Sequence, residues 1–131
     1  MAKGRVVVID GRSFSTLEEF YEVFAQTWID GYDGRGGNLD WFNDILWWPF
    51  GMEDERIVLV WRNSDESRRR LGHAETVRQL ELRGVAKFPN EFTSQAVSDI
   101  DRARRGEGPT VFDWIVEIIE DNQECVDLHL E

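Results

Sequence analysis

A chain of 131 residues, 41% hydrophobic and 31% charged, is long enough for one hydrophobic core, too short for two domains, and globular rather than disordered in composition. Its net charge of −11 argues against direct nucleic-acid binding, which normally needs a basic surface, and suits a basic protein partner. No apolar run approaches the roughly 20 residues of a membrane span. The opening MAKGRVVVID lacks the apolar core of a signal peptide, and the single Cys125 leaves no internal disulfide, so a cytoplasmic location is expected.

Val6-Val7-Val8-Ile9, closed by Asp10-Gly11, predicts a strand and a turn. Ser15 and Glu18 have capping-box spacing. Behind them Leu17, Phe20, Tyr21, Phe24, Ala25 and Trp28 recur at helical period, predicting a long amphipathic helix. Residues 30–37 read as loop. Asn38 is the expected N-cap of a helix that runs to about Trp47 and is stopped by Pro49 and Gly51. Ile57-Val58-Leu59-Val60-Trp61 is a second strand, apolar without alternation and therefore expected to be covered on both faces. Asn63 and Glu66 again have capping-box spacing and open a short helix. Its Arg68-Arg69-Arg70 run reads as a solvated face.

His73 to Arg83 and Ser94 to Arg105 read as helices, with a loop from Gly84 to Phe92 and a stop at Gly106 and Gly108. Pro109 or Thr110 starts a further helix that turns Phe112, Ile115, Ile118 and Ile119 inward. Val126, Leu128 and Leu130 alternate with Asp127, His129 and Glu131 in a last strand. Strands separated by helical crossovers imply an α/β fold with a small three-stranded parallel sheet packed with helices. The strand order is left open.

The most informative stretch is GYDGRGGNLDWFNDIL, Gly31 to Leu46. At about 100° per residue, Leu39, Phe42 and Leu46 share the core face of this helix. Asp40, Asp44 and Trp47 then point outward. The ordinary explanation is a solvated acidic face; the glycines before it and the tryptophan beside it favour a binding surface. Charge is segregated too. Residues 1–55 carry 4 basic and 11 acidic side chains, net −7; residues 56–105 carry 11 and 7, net +4; residues 106–131 carry none and 8, net −8.

Enzyme chemistry finds little support. Asp40 and Asp44 could form an acid/base pair or a magnesium site, but two carboxylates at helical spacing arise often by chance. His73 and His129 lack companions for zinc. Gly34, Gly36 and Gly37 are not followed by Lys-Ser/Thr and do not follow a strand, so no phosphate-binding loop is present. No catalytic residue, cofactor or metal is expected.

Several motifs in order resemble the barstar family, intracellular inhibitors of secreted guanyl-specific ribonucleases of the barnase type. They resemble most closely its longer members. The carriers are the first strand with Asp10-Gly11, the long first helix, and Tyr32 and the glycines before Asn38-Leu39-Asp40 with Asp44. Leu59-Val60-Trp61-Arg62 and the last helix and strand complete them. The resemblance covers residues 5–72 and 107–131 of a single domain, with 73–106 as a helical insertion. It implies an immunity protein or antitoxin that binds a basic secreted ribonuclease, or a ribonuclease toxin domain, one to one. An acidic helix and its preceding loop would fill the active site. Carried over, Asp44 occupies the nuclease's phosphate site, Asp40 supports it, and Glu117 or Glu120 adds a carboxylate. The loop Tyr32, Asp33, Gly34, Arg35, Gly36, Gly37 and Asn38 reaches the guanine side. Asn43 stands where the family usually has tryptophan, and Trp41, Trp47 and Trp48 are the alternative aromatic anchors, Trp41 and Trp48 equally suited to core packing. The alternative function is an acidic interaction module for a basic partner that is not a ribonuclease.

Overall fold

The structure is a computed structural model that describes residues 6–28, 37–53, 56–82 and 93–131. The elements in chain order are β1 (Val6–Asp10), α1 (Leu17–Trp28), α2 (Leu39–Glu53), β2 (Ile57–Arg62), α3 (Ser64–Arg70), α4 (His73–Leu80), α5 (Thr93–Arg104), α6 (Val111–Asp121) and β3 (Val126–Leu130). The three strands form one parallel sheet in the order β1-β2-β3, with Val8 opposite Val60 and Val60 opposite His129. Two parallel crossovers of the usual hand that step in the same direction are expected to put their helices on the same face of the sheet. Burial follows that rule: Val7, Ile9, Ile57, Leu59, Trp61 and Val126 are buried, whereas Val6 and Val8 are 60% and 43% exposed. The expectation that β2 is covered on both faces is therefore corrected. Val58 and Val60 are only half-buried, and their β-branched side chains suit the pleated backbone rather than a second core.

The core is largely aromatic. Phe20 stacks on Trp61 at 5.5 Å, Phe24 on Trp28 at 4.9 Å, Phe42 meets Phe24 edge-on at 4.9 Å, and Phe112 lies 5.1 Å from Trp61. Burying each such side chain is worth about 1.5–3 kcal/mol, so α1, which supplies three of these rings, is the element the core is built around. The Trp61 indole donates to Ser67 Oγ at 2.9 Å, and Ser67 Oγ donates to the Gly11 carbonyl at 3.0 Å. A side chain at Gly11 would meet that hydroxyl at 2.3 Å, so this turn requires glycine.

Three local expectations shift. At α1 the cap moves by one residue: Thr16 Oγ1 accepts from the Glu19 amide, and Glu19 accepts from the Ser15 amide. Glu18 is instead drawn to Arg78 and Gln79 of α4. Asn63 does not cap α3 with its side chain, which donates to Asp10 at 2.9 Å while the backbone sits in the left-handed region at φ 55°. Backbone and side-chain hydrogen bonds from Arg12, then that from Asn63, lower the Asp10 carboxyl to about 2. Nor is Arg68-Arg69-Arg70 merely solvated: Arg68 lies over the Phe112 ring at 4.5 Å, and Arg70 donates to Glu66 and to the Arg12 carbonyl. Thr110, rather than Pro109, caps α6, in a capping box with Asp113.

The stop at Pro49 and Gly51 is also corrected, because α2 continues through both to Glu53. Proline cannot donate to the carbonyl four residues back. That carbonyl belongs to Ile45, and the buried Trp28 indole donates to it at 2.8 Å. The orphan acceptor is thus satisfied from α1, and the helix passes the proline.

Candidate functional site

Asn38 begins α2 as expected: its side-chain oxygen accepts from the Trp41 amide at 2.8 Å and its carbonyl from Phe42 at 2.9 Å. Phe42, Ile45 and Leu46 are buried and Leu39 is half-buried against the core. Asp40 and Asp44 are exposed on the opposite side, and among the described residues neither makes a hydrogen bond or ion pair. Between Asn38 and Glu55 the sequence has no lysine or arginine. The two aspartates lie one helical turn apart, and Asp40, in the first turn, sits at the positive end of the helix dipole, which favours a carboxylate.

The tryptophans divide. Trp41 is half-buried, edge-on to Tyr21 at 5.5 Å, so it props α2 against α1. Trp47 is 37% exposed and its indole donates to Asn122 Oδ1. Asn122 Nδ2 donates to Asn43 Oδ1 at 2.8 Å and to the Ile118 carbonyl at 2.7 Å. Asn43 and Trp47 therefore face α6 at its C-terminal end. The side chain of Trp48 and the loop residues Tyr32, Asp33, Gly34, Arg35 and Gly36 lie outside the described residues; Gly37 is half-buried at the start of α2.

Helix α6 carries Glu117, Glu120 and Asp121, all exposed and, among the described residues, without an internal partner. Several carboxylates elsewhere are paired: Glu66 by Arg69 and Arg70, Glu75 and Glu18 by Arg78, Glu81 by Arg104, Glu107 by Arg105. The outward carboxylates of α2 and of the second half of α6 thus lie on two elements that Asn122 ties together. Asn122 escaped sequence reasoning. It was legible in principle, because it continues the inward stripe of Ile115, Ile118 and Ile119 with a polar side chain that must find partners once buried.

The other reactive groups do not converge here. His73 bonds the Gly108 carbonyl, and His129 lies beside Asp127. Cys125 is fully buried, which pushes its thiol up in pKa, and its Sγ donates to the Asn122 carbonyl at 3.3 Å. Among the described residues no three His, Cys, Asp or Glu side chains are grouped as a metal site, and no helix is long and apolar enough to cross a membrane.

A one-sided parallel sheet, an aromatic core and an outward acidic helix define a small α/β protein with an exposed carboxylate face on α2. The family model described as Barstar (barnase inhibitor) matches residues 4–87, more than half of the chain, and the chain belongs to that family. The family is one of inhibitors that act by binding another protein. The match takes in α4, which lies between the two stretches of the motif resemblance, 5–72 and 107–131, and it ends before α5 and so before the second stretch. No curated protein and no solved structure matches the chain.

Proposed function

We propose that this protein inhibits a basic guanyl-specific ribonuclease by laying α2 and the preceding loop into its active site. The observation that carries the reading is the pair Asp40 and Asp44, exposed, without an internal partner among the described residues, in a stretch that has no cation. A ribonuclease of this kind offers Arg, Lys and His to phosphate, and a carboxylate accepts the same charge-assisted hydrogen bonds. Asp44 takes the phosphate position, Asp40 supports it, and Glu117 or Glu120 meets a further cation. Tyr32 to Asn38 contacts the guanine side. Asn43 and Trp47 act at the edge of this surface while holding α2 to α6. The protein acts by occlusion, without catalysis or cofactor. It forms a 1:1 complex in the cytoplasm and protects its producer as an immunity protein or antitoxin.

The test is titration into barnase and into small basic ribonucleases encoded beside its gene. Stoichiometric loss of RNA cleavage at a 1:1 ratio is expected. Failure to bind any of them at micromolar concentration overturns the reading, and binding to a basic protein without nuclease activity would replace it with the interaction-module alternative.

A further inference from the structure

We propose that Asn122 is a positioning residue for the acidic face: it fixes the rotation of α2 and so the direction in which Asp40 and Asp44 point. The functional consequence rests on the inhibitor reading; the mechanical part does not. Asn122 is 6% exposed and is bonded on every side. Its Oδ1 accepts from Trp47, and its Nδ2 gives one proton to Asn43 Oδ1 and one to the Ile118 carbonyl. Trp47 Nε1 can only donate, and a carbonyl can only accept, so the amide fits in one orientation. The Asn122 backbone carbonyl accepts from the amides of Cys125 at 3.0 Å and Val126 at 3.1 Å, fixing the residue to the entry of β3. One side chain therefore ties α2 to the junction of α6 and the sheet.

The geometry of α2 shows what that tie controls. Asn43 and Trp47 are four residues apart and form one stripe. Taking Asn43 as origin and about 100° per residue, Trp47 lies at about 40°, Asp40 at about 60° and Asp44 at about 100°. Buried Phe42 and Leu46 lie on the other side, at about −100° and −60°. The clamped stripe is thus the border between the core face and the carboxylate face. On the core side, the packing of Phe42 and Leu46 and the Trp28 bond to the Ile45 carbonyl hold α2 against α1, and Asn122 adds a tie on the carboxylate side. Hydrogen bonds at the border are directional. At a side-chain radius of about 5–6 Å, a 20° roll of α2 would carry Asp44 about 2 Å sideways, enough to break a charge-assisted hydrogen bond to a partner.

The test is a double-mutant cycle on barnase binding with Asn122→Ala and Asp44→Ala, alone and together. In the parent, Asp44→Ala is expected to weaken binding by about 100-fold or more. In the Asn122→Ala background the same change should weaken it by about tenfold less, a coupling of about 1.4 kcal/mol. A purely structural role would leave the Asp44→Ala factor equal in both backgrounds, and that result overturns the proposal. If Asn122→Ala does not fold, Asn43→Ala removes one arm of the clamp from an exposed position and the cycle is run with it. A second arm needs no partner. Spin labels at Asp40→Cys and Glu117→Cys, with Cys125→Ser, report the α2–α6 distance in the unbound protein. Asn122→Ala should broaden that distribution, and an unchanged distribution overturns the proposal. If the parent binds no ribonuclease, the inhibitor reading fails and the spin-label result alone decides the positioning claim.

Discussion

Asp40 and Asp44 share a helix face but occupy different settings, and that difference sets what each should contribute. Asp40 is two residues from the N-cap, where the helix dipole already favours a carboxylate in the unbound protein. Asp44 is a turn further on, where that effect has faded, and faces outward without an internal partner among the described residues. Asp44→Ala is expected to weaken ribonuclease binding by about 3 kcal/mol or more, the scale for removing one member of a buried charge pair, with Asp40→Ala second. Calorimetric titration of the two variants checks the order. A folded Asp44→Ala protein that loses less than about 1 kcal/mol would remove Asp44 from the phosphate position. At this scale the two aspartates were legible because periodicity alone turns them outward. The inward position of Asn122 could have been read from its stripe, but not its partners, because Asn43 and Trp47 lie more than 70 residues away and only the packed fold brings them together. Asn63 was misread for the same reason: a local capping pattern competed with the distant Asp10 carboxylate, and the distant partner won.

Helices and strands followed the hydrophobic pattern closely, and the departures lie at their ends. The pattern of α1, from Leu17 to Trp28, matches its buried face residue for residue, since one continuous core fixes the period. The end of α2 was misjudged because proline is read locally, while the donor that rescues its orphan carbonyl comes from α1. Helix α4 shows a similar effect. Its buried Glu75 accepts from the Leu17 amide at 2.9 Å and so satisfies the start of α1 across 58 residues. The Trp28–Ile45 bond yields a test with a built-in control. Trp28→Phe keeps an aromatic ring and leaves the Ile45 carbonyl buried without its indole donor, so a loss of about 1–3 kcal/mol is expected in addition to any cavity. Pro49→Ala then supplies a backbone N–H to that same carbonyl. It should stabilise the Trp28→Phe protein more than the parent, by about 1 kcal/mol in denaturant unfolding. Equal effects in both backgrounds would mean that the indole is not what lets α2 pass the proline.

Across the whole molecule, the arginines of α3 and of the turn before α6 lie at the opposite end of the strands from the α2–α6 carboxylates. Helix α3 leaves β2 at its carboxyl end, and the Phe112 amide at the start of α6 bonds the Leu71 carbonyl there, so Arg69 and Arg105 belong to that end. Asn122 precedes β3 and lies at the amino end of the sheet, with the α2–α6 carboxylates. Strands of five or six residues separate the two ends by about 17–20 Å at roughly 3.3 Å per residue. That exceeds the Debye length of about 8 Å at 0.15 M salt, so a cationic partner approaching the carboxylates feels little of the basic end. Association with a basic ribonuclease should therefore be fast at low ionic strength and slow steeply as salt rises. Arg69→Glu and Arg105→Glu, at side chains 74% and 59% exposed, should change the association rate by less than about twofold at 0.15 M salt. Glu117→Gln with Glu120→Gln should lower it, because the proposed docking puts those charges on the approach path. Stopped-flow mixing across ionic strengths decides the matter: a fall of about tenfold from the arginine reversals would place the basic end in the interface and move the docking surface away from α2.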